Sequence, residues 1–70
     1  MAHDPQLLDM ARRHVAEARL RIARQAVLLA RLRAEGQPTG LASDLLASMT
    51  ETARHMQAHY DLLRRDQDEG

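Results

Sequence analysis

The chain has 70 residues, with ten arginines balanced by ten acidic residues, and it contains no lysine and no cysteine. That length allows one small domain, and the absence of cysteine excludes disulfides, thiolate zinc sites and thiol nucleophiles. A chain of this size buries only about 60% of its unfolded surface, so it usually needs a metal or self-association for stability.

The first predicted element is a long helix over residues 5–35. Asp4 and Pro5 form a typical helix start, because Asp accepts hydrogen bonds from the first free N–H groups and Pro is tolerated at the first helical position. Gly36 is a typical helix stop, and Pro38 prevents continuation. The N-terminal residues carry neither a basic region nor a long apolar run, so we expect a cytoplasmic protein without a membrane partner.

The second predicted element is a helix over about residues 40–65, capped by Thr39 or Ser43, of which Thr39 is preferred. Residues 66–70 are mostly acidic and are predicted to fray. The turn at residues 36–39 is so short that the two helices must run antiparallel. Residues 1–70 are therefore predicted to form a single all-α domain, an antiparallel two-helix hairpin.

Each predicted helix carries one apolar stripe with alternating spacings of three and four residues, the pattern of a coiled-coil seam. We call these two stripes together the seam. In the first helix the seam consists of Leu8, Ala11, Val15, Ala18, Ile22, Gln25, Leu29 and Leu32. In the second helix it consists of Ala42, Leu46, Met49, Ala53, Met56, Tyr60 and Leu63, flanked by Leu45, Thr52, His59 and Leu62. A lone polar residue in such a seam, here Gln25, typically fixes register.

The first helix carries a second apolar stripe, about 140° around the helix from the seam. This second stripe consists of Ala16, Leu20, Ala23, Val27, Ala30 and Ala34. A two-helix hairpin covers only one stripe, so we expect self-association, most simply a homodimer that forms a four-helix bundle. A higher oligomer and an unknown protein partner are the alternatives. The residues expected at the interface are Leu20, Ala23, Val27, Leu28 and Ala30.

Charge is distributed unequally between the two halves of the chain. Residues 5–35 contain seven arginines and three acids, whereas residues 36–70 contain three arginines and six acids. This layout of two helices resembles the Rop family of small bacterial RNA-binding proteins, whose hairpins dimerise and bind RNA through their first helices. The resemblance covers architecture and no sequence motif, and it implies an alternative function, nucleic-acid binding through Arg12, Arg19 and Arg24. Zero net charge and a single aromatic residue argue against that alternative.

The histidines are the only candidates for chemistry. His55 and His59 lie four residues apart on one helix, and the hairpin brings His14 near them, with Glu17 or Asp61 close by, as a zinc site of three ligands requires. Solvated histidines on the flank of a helix are the simpler interpretation, so we expect no metal and no other cofactor. No nucleophile–base pattern or glycine-rich phosphate loop is present. The sequence thus predicts a structural or adaptor role in protein–protein interaction and no enzymatic activity.

Overall fold

The computed structural model describes residues 5–69, including the backbone but not the side chain of Glu69. It consists of helix α1 (Pro5–Ala34) and helix α2 (Gly40–Glu69), which pack against each other along their length. No strand occurs between residues 5 and 69. The all-α hairpin is therefore confirmed. Within the same residues, neither helix has a stretch long and apolar enough to cross a membrane.

The turn between the helices depends on the backbone conformation of Gly36. Its φ of 69° lies in the left-handed region that glycine adopts without steric cost. The Gln37 N–H donates to the Leu32 carbonyl at 2.9 Å, and the Gly36 N–H donates to the Arg33 carbonyl at 3.2 Å. This pair of hydrogen bonds is a Schellman motif, which satisfies the last carbonyls of α1 and ends the helix there.

The start of α2 also agrees with the sequence. The Ser43 N–H donates to the Thr39 carbonyl at 2.8 Å, which places Thr39 in the cap position directly before Gly40. The other predicted cap, Asp4, lies outside the described residues.

Helix α2 continues past its predicted end near residue 65, to Glu69; the fraying of residues 66–70 stays a prediction, and Gly70 lies outside the described residues. The last turns alternate charge at helical spacing: Asp61, Arg64, Arg65 and Asp68 line one common surface recess. Opposite charges four residues apart stabilise a helix surface. The Arg64 guanidinium also lies over the Tyr60 ring, 5.6 Å from its centroid, and no glycine or proline interrupts this segment.

The predicted seam is confirmed. All eight seam residues of α1 are buried or half-buried, and every other described residue of α1 is exposed. Ala11, Val15 and Leu29 are the most buried, with 5–7% of their surface exposed. All seven seam residues of α2 are half-buried, whereas their four predicted flanking residues are exposed. The periodicity missed two half-buried polar residues of α2, Thr50 and Gln57.

Two hydrogen bonds between side chains and the opposite helix hold the hairpin in register. The Gln25 Nε2 donates to the carbonyl of Ala42 at 3.0 Å, so the one polar residue of the α1 seam is satisfied inside the hairpin. The Arg19 guanidinium donates to Gln57 Oε1 at 2.7 Å, and Gln57 Nε2 donates to Asp61 Oδ1 at 3.0 Å. The first bond supports the interpretation of Gln25 as a residue that fixes register.

Candidate interaction surfaces

The hairpin leaves much apolar surface uncovered. No described side chain is fully buried, and the radius of gyration is 16.2 Å, whereas a compact domain of this length has about 11 Å. Among the residues whose side chains the structure describes, eight large apolar ones are exposed: Leu7, Met10, Leu20, Val27, Leu28, Leu41, Leu45 and Leu62. Their positions around the two helices decide which surface is available for a partner.

An open groove of about 230 Å³ runs along one side of the seam near the middle of the hairpin. It is lined by Ala18, Arg21, Ser48, Met49, Thr52 and Met56. An adjoining recess adds His14 and Glu17 to the α1 wall. The small side chains of Ala18 and Ser48 leave this depression between longer neighbours.

Three exposed apolar residues of α1 lie on the side of the groove. Residues seven apart occupy nearly the same side of a helix, because two turns take about seven residues. Leu28 lies seven residues after the groove residue Arg21, and Met10 lies seven residues before Glu17. Leu7 continues the same line, seven residues before His14 of the recess.

The exposed leucines of α2 flank the groove from the other helix. Leu41 lies seven residues before Ser48, and Leu45 lies seven residues before Thr52. Leu62 follows Ser48 at twice that spacing. We call this side of the hairpin the front face, formed by the groove and by Leu7, Met10, Leu28, Leu41, Leu45 and Leu62.

The second stripe lies elsewhere. Leu20, Ala23, Val27 and Ala30 are all exposed and occupy the outer side of α1, turned away from α2 by the 140° that separates the stripe from the seam. Of the five residues expected at the interface, only Leu28 belongs to the front face. The structure therefore divides them between two surfaces. Sequence reasoning missed Leu7, Met10 and Leu41, which lie seven residues before His14, Glu17 and Ser48 of the groove and its recess.

The three arginines of the nucleic-acid alternative do not share one surface. Arg12 donates to Asp9 Oδ1 at 2.7 Å, and Arg19 is held by Gln57. These two arginines lie seven residues apart, on the side of the hairpin away from the groove. Arg24 follows Arg19 by five residues, which turns it about 140° away from that side.

The histidines are not grouped as a metal site. His55 Nε2 lies 3.5 Å from Glu51 Oε1, with both side chains largely exposed. His14 belongs to the front recess, and His59 is exposed on α2. Within the described part of the chain, no three His, Asp or Glu side chains are placed to hold one metal ion.

Comparison of this chain with models of protein families, with curated proteins and with solved structures finds no match. The resemblance to the Rop family therefore rests on the two-helix layout alone. Function has to be argued from the surfaces of the hairpin.

Proposed function

We propose that this protein is a structural or adaptor module that works as a homodimer, in which two hairpins pack front face to front face as a four-helix bundle. The observation that carries the proposal is the width of the front face. Exposed apolar residues of both helices border it, and the groove runs between them. A surface shared by two helices is the one that the core of a four-helix bundle requires.

The solvent-exposed area of the hairpin supports a partner of the hairpin's own size. The hairpin exposes 5599 Å², whereas a compact monomer of its mass exposes about 4,400 Å². Two separate hairpins expose about 3,900 Å² more than a compact protein of twice the mass. An interface of that total area falls in the range of obligate homodimers.

The second stripe suits self-association less well. It is only one helix wide, and packing through it places the four helices in a single layer with both front faces uncovered. In the dimer that we propose, Leu20 and Val27 stay on the outside, bordered by Arg13, Arg24 and Arg31. In the proposed adaptor role, this apolar strip with a basic edge is the surface that binds a second protein. An amphipathic helix with acidic flanks has the complementary chemistry.

Substitutions of Leu28 and Val27 test the proposal as a matched pair. Leu28 lies on the front face, whereas its neighbour Val27 lies on the second stripe. We expect Leu28→Asp to convert the dimer to monomer or to unfold it, since the substitution places an unpaired carboxylate in the bundle core. Val27→Asp introduces the same carboxylate at the neighbouring position, costs less helix propensity because Val already ranks with Asp, and should leave the dimer intact.

The measurement is native mass spectrometry of untagged protein purified without chelator, with sedimentation velocity and circular dichroism of each variant. A wild-type monomer contradicts the proposal. A dimer that Val27→Asp disrupts and Leu28→Asp leaves intact assigns the interface to the second stripe instead.

A further inference from the structure

Arginines border both long sides of the second stripe. On a helix, the residues three and four positions further along lie to opposite sides of a starting residue. Arg24 lies four residues after Leu20, whereas Arg33 lies three residues after Ala30, so these two arginines border the stripe on opposite sides. All six bordering arginines are exposed, three on each side: Arg13, Arg24 and Arg31 on one, and Arg12, Arg19 and Arg33 on the other.

The described residues of the hairpin leave most of this positive charge unpaired. Arg12 donates to Asp9, and Arg19 donates to the neutral side chain of Gln57. Residues 18–34 contain five arginines and no acidic residue. Among the residues that the structure describes, the other four bordering arginines take part in no hydrogen bond or ion pair: Arg13, Arg24, Arg31 and Arg33.

These charges exclude a second copy of the chain as the partner that covers the stripe. If the second copy used its own α1, arginines would face arginines along both sides, and like charges in contact weaken an interface. The outer side of α2 is more acidic. However, the exposed large apolar side chains that the structure describes in α2 all lie on the front face, so its outer side has none to place against Leu20 and Val27.

Two other anionic partners match the stripe less well. Helices that lie on a membrane surface insert bulky or aromatic side chains, whereas four of the six stripe residues are alanine. Nucleic acids place phosphates against cationic side chains, and here an apolar strip separates the two rows of arginines. A partner with an apolar centre and acidic sides matches both parts of the surface.

We propose that the second stripe is the docking site for an amphipathic helix of another protein, with acidic residues along both sides of its apolar face. The stripe from Ala16 to Ala34 is about 27 Å long, so a partner helix of about 20 residues covers it lengthwise. Large apolar side chains of the partner then contact Leu20 and Val27, and its carboxylates meet arginines on both sides. This inference rests on the adaptor role proposed above and adds the chemistry of the partner.

Binding of a designed peptide tests the docking site. The probe has three heptads with leucine at a and d and glutamate at e and g, and the repulsion between glutamates keeps the peptide from pairing with itself. A peptide with lysine in place of every glutamate is the matched control. Isothermal titration calorimetry gives the dissociation constants. We expect the wild-type protein to bind the glutamate peptide and not the lysine peptide.

Variants of the stripe locate the binding site. Arg24→Glu/Arg31→Glu replaces two attractions by two repulsions and should weaken binding of the glutamate peptide roughly 10- to 30-fold. The same variant should bind the lysine peptide more tightly than wild type does, which a misfolded variant would not do. Val27→Asp places a carboxylate in the apolar contact and should also weaken binding. Arg54→Glu/Arg65→Glu changes the net charge equally, on α2, and should bind as wild type does.

The absence of binding between the glutamate peptide and the wild-type protein overturns the docking site. Binding that the Arg24/Arg31 and Val27 variants leave unchanged does the same. An oligouridine RNA, or vesicles of phosphatidylcholine and phosphatidylglycerol, that bind through these residues more tightly than the peptide assign the stripe to nucleic acid or membrane and also overturn it.

Native mass spectrometry of the same samples separates this proposal from the front-to-front dimer. A monomeric wild type that binds the peptide through the stripe contradicts the dimer and leaves the docking site standing. A dimer that Val27→Asp separates overturns the docking site, because a second copy then covers the stripe.

Discussion

The front face and the second stripe are both exposed apolar surfaces of α1, but only the front face continues onto α2. Leu28 on the front face is 41% exposed and has the α2 leucines across the groove, whereas Val27 on the second stripe is 59% exposed and lies on the outer side of α1. Residues that are adjacent in sequence thus belong to different surfaces. Apolar content alone therefore does not identify an interface. The arrangement of the two helices decides which apolar stripe becomes part of a wide surface.

Both surfaces depend on the packing of the seam. A substitution in the seam is therefore expected to have the largest effect on the free energy of unfolding. Leu29 is 5% exposed, and Leu29→Ala should reduce the free energy of unfolding by about 2–4 kcal/mol, which is most of the stability of a small domain. Chemical denaturation followed by far-UV circular dichroism, at one fixed protein concentration, measures the loss. A loss below about 1 kcal/mol would contradict the burial of Leu29 in the seam.

An intermediate effect is expected on the front face. Leu45 is 52% exposed in the hairpin and becomes covered in the proposed dimer. Leu45→Ala should raise the dissociation constant roughly 10- to 30-fold, because each copy loses on the order of 1 kcal/mol of apolar burial and the dimer has two copies. Sedimentation equilibrium gives the constant, and Leu20→Ala on the second stripe is the control that should leave it unchanged. An equal increase of the dissociation constant in both variants would mean that the front face and the second stripe contribute equally to the dimer interface.

The smallest effect is expected on the second stripe. Val27→Ala should change the free energy of unfolding by no more than about 0.5 kcal/mol, with a slight gain because alanine is the better helix former. The same substitution at Val15, which is 7% exposed, should cost about 2 kcal/mol. Thermal unfolding of both variants at matched concentration tests the pair. A comparable loss at Val27 would indicate that the second stripe is covered in the assembly.

The hairpin and the membership of its seam follow from local signals in the amino-acid sequence. Gly36 and Pro38 stop one helix, Thr39 caps the next, and these signals act within a few residues of the turn. The alternation of three- and four-residue spacings identified every buried or half-buried residue of α1, because a single helix period relates all of them. The predicted end of the second helix, near residue 65, lies four residues before the end of α2, because the acids at residues 66–70 indicate a helix end only when the arginines one turn earlier are left out.

Which exposed residues share a surface depends on how the two helices pack against each other. The position of Leu28 relative to Leu41 and Leu45 depends on how each helix is rotated about its own axis when the seam closes. Periodicity within one helix carries no information about the other helix's rotation, so Leu28 was grouped with its sequence neighbours Val27 and Ala30. The same rotation places Glu17 and Arg21 at the wall of the groove. Packing of the seam, set by the volumes of its side chains, fixes that rotation and with it the face that we propose a second copy covers.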